Sequence, residues 1–128
     1  MENAIQIPKI IHQIWVGEKE MPEHCQQFVQ KMKDLHPDWD VKLWGNEVFT
    51  ELYKEDPFLQ NYIQDPELYK WAFISDRVRL LLLRDFGGVY CDVDAMPVRP
   101  FDVILNQLGP HHTFFSGLKP SQGNNTLY

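Results

Sequence analysis

Two aspartates separated by one residue, Asp92 and Asp94, are the part of the sequence best suited to chemistry. They follow a short β-branched and aromatic run at residues 89–91, which predicts a strand. Because side chains two apart in extended backbone point to the same side, both carboxylates can face one cavity. Mg²⁺ and Mn²⁺ favour oxygen ligands and commonly take one or two carboxylates together with substrate phosphates. A solvated acidic turn has the same sequence, so the motif alone leaves both interpretations open.

A helical segment upstream of this strand carries a second polar group, made of Ser75, Asp76 and Arg79. Asp76 and Arg79 are three residues apart, so they share one face of the helix and can pair. The alternative interpretation is a surface ion pair, which stabilises a protein little. The apolar residues around them are Trp71, Ala72, Ile74, Val78 and Leu80. Charges in such surroundings favour a functional role, and the glycines Gly87 and Gly88 that follow permit close approach of a ligand.

The elements that position these groups begin with a strand, a helix and a second strand. Residues 9–16 are rich in β-branched and aromatic side chains and predict a buried strand. Residues 22–35 carry apolar side chains at helical spacing, with Pro22 suited to a first turn. Residues 39–44 alternate like a strand. This order predicts a βαβ unit, and therefore a parallel sheet with helices packed on it.

The rest of the chain is predicted to be mostly helical. Helices are predicted over residues 47–54, 57–63, 67–84 and 100–108, strands over 89–91 and 112–115, and a loop from Lys119 onward.

Several side chains with chemical potential are predicted to be structural. Those predicted to lie in the core are His12, Trp39, Trp44 and Trp71. His111 and His112 are adjacent, so their side chains point apart, which argues against a metal site. Cys25 and Cys91 are predicted to be reduced thiols, with one disulfide as the alternative. Cys91 has no base near it in the sequence, which argues against a nucleophile.

Composition and charge limit the classes of protein to which this chain can belong. The chain has 128 residues, 44% of them hydrophobic, and we predict a single domain over residues 1–128. The formal net charge is −6 without a block of Lys or Arg, which argues against nucleic acid as a partner. The sequence contains no secretory signal pattern, and its longest apolar run is too short to span a bilayer. We therefore expect no membrane span and a cytoplasmic location.

Taken in order, the motifs of the chain strongly resemble those of one family, the sugar transferases that contain the DXD motif. The motifs are IPKIIHQIWVG from Ile7, HPDW from His36, LW from Leu43, Ala72 with Ser75, Asp76 and Arg79, and GGVYCDVD from Gly87. Relatives of this kind include yeast-type α-1,6-mannosyltransferases, bacterial capsule enzymes and, more distantly, the glucosyltransferase domains of clostridial toxins. The resemblance implies an α/β fold of the GT-A type, which is Rossmann-like, with a mostly parallel sheet and flanking helices.

The resemblance also implies a function. Such an enzyme transfers a hexose from a UDP- or GDP-sugar to a glycan or other acceptor, with retention of anomeric configuration and with Mn²⁺ or Mg²⁺ as cofactor. The positions that match the donor site are Trp15, Ser75, Asp76, Arg79, Tyr90 and Asp92. Trp15 matches the aromatic residue that stacks on the base. Asp76 and Arg79 match the pair that contacts donor sugar and ribose, and are the candidate catalytic residues. Asp92 and Asp94 match the metal-binding motif, with Asp94 as the direct ligand.

Alternatives follow from the length of the chain and from the motif itself. Members of this family usually continue well beyond the DXD motif, so we expect the usual C-terminal half to be lacking. The chain is then either a fragment of a longer enzyme or a small enzyme that takes the missing wall from another subunit. A nucleotide-sugar-binding module, or a slow hydrolase without efficient transfer, is therefore an alternative. A phosphotransferase of the haloacid dehalogenase type also places DxD after a strand, with the first aspartate, here Asp92, as nucleophile. That class carries the motif at its first strand, which makes it the weaker alternative.

Overall fold

A parallel sheet of three strands lies at the centre of the computed structural model, which describes residues 7–64, 70–108, 118–121 and 124–127. Its strands are β1 (Ile10–Ile14), β2 (Asp40–Trp44) and β3 (Val89–Tyr90). β1 lies in the middle and pairs in parallel with both neighbours, in the order β2-β1-β3. Because all three strands run in the same direction, their carboxyl ends share one edge of the sheet. The predicted α/β class with a parallel sheet is confirmed.

The connection from β1 to β2 is the predicted helix. This helix, α1 (Glu23–Leu35), buries Cys25, Val29 and Met32, which recur at helical spacing on one face. Pro22 lies just before the helix and not in its first turn, because its backbone is extended, with φ −55° and ψ 149°. The βαβ unit is thus confirmed, with its helix beginning one residue later than predicted.

A long helix, α3 (Lys70–Phe86), packs on the sheet. Helix α2 (Pro57–Gln64) and a single turn of π-helix, Val48–Leu52, pack on α3. Successive side chains of a strand point to opposite faces, so β1 contributes buried residues to an apolar cluster on each face of the sheet. Towards α3 the buried residues are Ile14, Val48, Leu59, Ile74, Val78, Leu81 and Leu82. Towards α1 they are Ile11, Met32, Trp39 and Val89, with Cys25, Val29 and Val93 forming a neighbouring cluster. The sheet therefore lies between two layers.

His12, on the central strand, is fully buried and satisfied by hydrogen bonds, as predicted. The indole N–H of Trp44 donates to His12 Nδ1 at 3.0 Å, so Nδ1 is the unprotonated nitrogen. Nε2 therefore carries the proton and donates to the carbonyl oxygen of Gly87 at 2.8 Å. Burial lowers the pKa of His12, which favours this neutral form. The ring thus connects β1 and β2 to Gly87, the residue that follows α3.

Gly87 and Gly88 make the tight connection from α3 to β3. Both have positive φ, 68° and 92°, which L side chains rarely adopt. A Cβ built on Gly88 would lie 2.4 Å from the carbonyl oxygen of Ile10, so this position also needs glycine for space. The backbone of β3 consequently lies directly against the start of β1.

Several predicted boundaries differ from the structure. The helix predicted over residues 47–54 is the short π-helical turn, and the helix predicted over 57–63 is α2. The long helix continues to Phe86, and its predicted start at residue 67 lies outside the described residues. The helix predicted over 100–108 is α4 (Asp102–Gln107). The predicted strand at 112–115 and the pair His111 and His112 also lie outside the described residues.

The loop predicted from Lys119 onward is wrong. Strands β4 (Leu118–Ser121) and β5 (Asn124–Leu127) pair in antiparallel there. Pro120 and the two asparagines Asn124 and Asn125 are poor strand formers, so the sequence pattern carries little strand signal. Backbone hydrogen bonds between the two segments offset that local preference.

The cysteines are free thiols as predicted, and one of the three tryptophans predicted to lie in the core is buried. Cys25 is a buried free thiol and Cys91 a half-buried one. Trp39 is buried, whereas Trp44 and Trp71 are half-buried and pack against the core on the α3 side.

Within the ranges that the structure describes, every helix is too short or too polar to cross a membrane.

An ion pair between Asp56 and Arg77 joins α2 to α3. Arg77 Nη2 donates to Asp56 Oδ1 at 2.9 Å, and Nε donates to Oδ2 at 3.2 Å. Asp56 Oδ2 also accepts the backbone N–H of Leu59 at 3.1 Å, so the carboxylate caps the first turn of α2. The guanidinium lies 4.7 Å from the ring centre of Phe58. The hydrogen bonds from Arg77 lower the pKa of Asp56.

We expect Asp56→Ala to lower the free energy of unfolding by about 2–3 kcal/mol, because it removes a helix cap and leaves Arg77 unpaired. Since the native pKa of Asp56 is lowered, its stabilisation is complete above the ordinary aspartate pKa and is lost as pH falls through the native pKa. Urea unfolding between pH 3 and pH 7 measures both effects. Asp40→Asn, which breaks the exposed Asp40–Lys42 pair, is the control and should change stability little. Equal effects of the two variants would contradict the prediction.

Candidate functional site

The carboxyl edge of the sheet gathers residues from distant parts of the chain. Trp15 follows β1 directly, and its backbone N–H donates to the carbonyl oxygen of Trp44, the last residue of β2. Asp92 follows soon after β3, where the N–H of Cys91 donates to the carbonyl oxygen of His12. In open α/β sheets, ligands bind outside this edge. The topology thus brings Trp15 and the DXD motif to the edge where such sheets bind ligands.

Four of the predicted site residues form a continuous chain of contacts. Arg79 Nη2 lies 3.4 Å from Asp76 Oδ1. The guanidinium of Arg79 lies 5.5 Å from the ring centre of Tyr90, within the range of a cation–π contact. The hydroxyl of Tyr90 donates to Asp92 Oδ1 at 2.7 Å. Helix α3 and the end of β3 therefore present one connected polar group, and Ser75 lies half-buried beside it on α3.

Burial and the neighbouring carboxylate fix the protonation of this group. Desolvation, and then the hydrogen bond to Asp92, raise the pKa of Tyr90 well above its ordinary value. The phenol therefore stays protonated and remains a donor to Asp92. Burial, with Asp92 and Asp94 nearby, raises the pKa of Cys91 to about 11. A thiol of that pKa is a poor nucleophile at neutral pH, in agreement with the expectation for Cys91.

The two aspartates of the DXD motif differ in their surroundings. Asp92 is half-buried and held by Tyr90, whereas Asp94 is exposed. Val93 between them is buried against Cys25 and Val29 of α1. The N–H of Ala95 donates to the carbonyl oxygen of Asp92 at 3.2 Å, which closes a turn around the motif. The motif is thus anchored by Val93 and presents one constrained and one exposed carboxylate.

Trp15 is held in place by packing and by one hydrogen bond. Its indole is half-buried and packs against the cluster of Cys25, Val29 and Val93. The indole N–H donates to the carbonyl oxygen of Lys19 at 2.8 Å. Because Val93 lies between the two aspartates, Trp15 and the DXD motif rest on the same apolar cluster.

Asn46 is a residue that the sequence did not single out. Its Oδ1 accepts the N–H of Gly17 at 2.8 Å, and its Nδ2 donates to the carbonyl oxygen of Gly17 at 3.2 Å. Gly17 has a φ of 113°, and a Cβ there would lie 3.2 Å from the ring of Trp71. Asn46 therefore fixes the loop that follows Trp15. The signal that could have found it is Gly45-Asn46 at the end of the second strand, a dipeptide typical of turns.

The DXD motif follows the third strand in chain order, not the first. A phosphotransferase of the haloacid dehalogenase type expects the motif at its first strand, so the position of Asp92 argues against that alternative.

Comparison with known proteins agrees with the geometry. Residues 22–115 match the family model described as the glycosyltransferase sugar-binding region containing the DXD motif. The chain is 40% identical over 102 residues to a mannosyl phosphorylinositol ceramide synthase of Saccharomyces cerevisiae, covering 77% of this chain and 25% of the relative. It is 37% identical over 102 residues to inositol phosphoceramide mannosyltransferase 3 of Schizosaccharomyces pombe, covering 78% of this chain and 28% of the relative.

A solved structure supports the fold. PaToxG glycosyltransferase superposes with a TM-score of 0.62 at 24% sequence identity, over 74% of this chain and 45% of that one. The parallel sheet with flanking helices is accordingly a GT-A-like arrangement, as predicted. The chain spans about a quarter of the length of the curated relatives described above. With most of its length matched, the chain belongs to the family of glycosyltransferase sugar-binding regions that contain the DXD motif.

Proposed function

We propose that this chain binds a nucleoside-diphosphate sugar with a divalent cation and takes part in transferring its hexose, with retention of configuration, to a glycan or other acceptor. The observation that carries the proposal is the contact chain Asp76–Arg79–Tyr90–Asp92. It connects the pair matched to the sugar and ribose with the motif matched to the metal, and it lies at the edge of the sheet where Trp15 can meet a base.

The carboxylates suit Mn²⁺ or Mg²⁺ bound together with a diphosphate. No group of three or more His, Cys, Asp or Glu side chains within the described residues could hold a metal ion alone. Asp92 and Asp94 offer two carboxylates, and Mg²⁺ typically takes one or two with the remaining ligands from substrate phosphates and water. A cation held in this way acts as a Lewis acid for the leaving diphosphate. We therefore expect metal and nucleotide to bind cooperatively.

Arg79 and Asp76 would act on the donor itself. A guanidinium beside a diphosphate stabilises the negative charge that grows as the bond between sugar and phosphate breaks. Asp76 is 61% exposed at its side chain, so it is free to accept hydrogen bonds from sugar or ribose hydroxyls. Tyr90 keeps Asp92 oriented and supports the guanidinium with its ring. The reacting sugar would pass through an oxocarbenium-like state, as in glycoside hydrolysis.

The relatives suggest which hexose to test first. One of them is named mannosyl phosphorylinositol ceramide synthase, and two are named inositol phosphoceramide mannosyltransferases. We therefore infer that mannose is the first sugar to test, from GDP-mannose, with UDP-glucose and UDP-galactose as comparisons. An inositol phosphate lipid is the corresponding acceptor to try beside simple glycosides.

The test of the proposed function is thermal melting of the chain with each nucleotide sugar, in Mn²⁺, in Mg²⁺ and in EDTA. A ligand at tenfold excess over its Kd stabilises by about 1.4 kcal/mol, which raises the melting temperature by several degrees. We expect such a rise with at least one donor in metal and not in EDTA. Released nucleotide and transferred sugar are then measured with the stabilising donor. Nucleotide release without transfer would identify the slow hydrolase, and stabilisation without turnover the binding module.

We expect Trp15→Ala to weaken nucleotide binding by about 1–3 kcal/mol, because stacking on a base contributes that much. Trp15→Phe should lose less, since a smaller ring still stacks. Nucleotide addition should also quench tryptophan emission in the wild-type chain and much less in Trp15→Phe. Trp44→Phe leaves Trp15 in place, removes an indole that reaches His12 instead, and serves as the control for the quench. If both Trp15 variants melt at lower temperature with unchanged nucleotide affinity, Trp15 is a core residue alone.

A further inference from the structure

The turn that follows α1 holds the segment that follows the DXD motif. The N–H of Phe101 donates to His36 Nε2 at 2.8 Å, and His36 Nδ1 lies 2.7 Å from the carbonyl oxygen of Met32. A carbonyl oxygen can only accept and an amide N–H can only donate, so Nδ1 carries the proton and Nε2 is the acceptor. His36 is 2% exposed. The imidazole therefore bridges two backbone groups, one in α1 and one after the motif.

A second bond and a set of rings strengthen this attachment. The indole N–H of Trp39, which is buried, donates to Asp102 Oδ1. The ring of Phe101 lies 5.4 Å from that of His36 and 6.2 Å from that of Trp39, between ring centres. We call these four residues, His36, Trp39, Phe101 and Asp102, the turn clamp.

The other end of the same segment is also attached to α1. Val93, inside the DXD motif, packs against Cys25 and Val29 in the first half of that helix. The turn clamp holds Phe101 at the opposite end of the helix. Residues 94–100, which include the exposed Asp94, therefore run between two attachments on one rigid element.

We propose that His36 and Trp39 are positioning residues for the DXD motif: by holding Phe101 and Asp102 they fix the loop that carries Asp94. They act indirectly, because their hydrogen bonds go to the backbone of Met32 and Phe101 and to the carboxylate of Asp102, and not to the motif. The expected effect on metal binding rests on the function proposed above, whereas the effect on the loop does not. The HPDW motif matched the family but had no assigned role in the donor site. On this proposal, its His36 and Trp39 position the loop that carries Asp94.

The first measurement is hydrogen exchange of backbone amides without any metal. Trp39→Phe keeps an aromatic ring and removes the N–H that reaches Asp102. We expect the amides of Ala95 and Phe101 to exchange about tenfold faster, since one hydrogen bond to a charged group no longer restrains the loop. Trp44→Phe is the matched control, because it removes an indole N–H that reaches His12 on the other face of the sheet. It should leave exchange in residues 94–101 unchanged.

The second measurement is the affinity for UDP and GDP in Mn²⁺. We expect Trp39→Phe and Asp102→Ala to weaken it about three- to tenfold, at the low end of losses seen when supporting residues of a metal site are removed. Asp102→Asn keeps an oxygen that can accept from Trp39 and should restore most of the affinity. Unchanged exchange in residues 94–101 of Trp39→Phe, or exchange raised equally throughout the chain, would overturn the proposal. Faster local exchange in a chain that binds neither nucleotide would support positioning and overturn the proposed function instead.

Discussion

Replacing Asp94 with Asn is expected to lower the affinity for UDP or GDP in Mn²⁺ by about 100-fold. Removing a residue that only supports the ligands of a metal site already lowers metal affinity by about 10- to 100-fold, so a direct ligand should reach the upper end of that range. Asp94 is the exposed carboxylate of the motif, and an amide neither carries the charge nor coordinates a hard cation as well. Asp92→Asn should cost less, because the amide oxygen can still accept the hydrogen bond from Tyr90. Titration calorimetry in Mn²⁺ and in EDTA measures both variants.

The control for the Asp94 variant is Asp40→Asn, which makes the same change of charge at the exposed start of β2. It should leave the nucleotide affinity and its dependence on metal unaltered. If the wild-type chain binds nucleotide equally well in Mn²⁺ and in EDTA, the assignment of a metal to Asp92 and Asp94 is wrong.

Arg79→Met is expected to lower donor affinity or turnover by about 10- to 100-fold, because hydrogen bonds to charged groups contribute about 1.5–3 kcal/mol. The free energy of unfolding should change little, since the partner Asp76 is largely exposed. Arg79→Lys should rescue poorly, because an ammonium lacks the flat guanidinium that faces the ring of Tyr90. Donor titrations and nucleotide release, measured beside urea unfolding, separate binding from stability.

Arg84→Met provides a matched control on the same helix. Arg84 forms an exposed ion pair with Asp85 and lies outside the contact chain of the site. Its loss should leave donor affinity unchanged. A large fall in the stability of Arg79→Met with unchanged donor affinity would instead make the Asp76–Arg79 pair structural.

Contacts between residues close in the chain were the most predictable part of this site. Asp76 and Arg79 are three apart on a helix, which is enough to predict that they can pair. The alternation of side chains in extended backbone predicted a shared face for Asp92 and Asp94. Instead, the N–H of Ala95 donates to the carbonyl oxygen of Asp92 and closes a turn, with Asp92 half-buried and Asp94 exposed. The contact of Arg79 with Tyr90 depends on how α3 packs beside β3, and no spacing in the sequence encodes that.

Long-range polar contacts explain most of what the sequence did not reveal. Arg77 lies beside Asp76 in the sequence, yet it pairs with Asp56 at the start of α2. Asn46 reaches Gly17 across the loops at the carboxyl edge of the sheet. Helical periodicity and β-branched runs placed the main elements because they reflect burial, a local property of each segment. Partners for a single polar side chain depend on the assembled fold.

The contact between Gly88 and Ile10 bears on how this sequence can diversify. A side chain at Gly88 would push β3 away from β1, and the backbone of β1 leads directly to Trp15 at the other side of the site. Substitution of this glycine would therefore displace Trp15 and the DXD motif together. New sugar specificities are better sought at exposed positions near the motif, such as Met96, where a replacement does not shift the strands. In directed evolution, the junction of α3 and β3 should therefore be kept unchanged, and exposed residues near the motif should be varied.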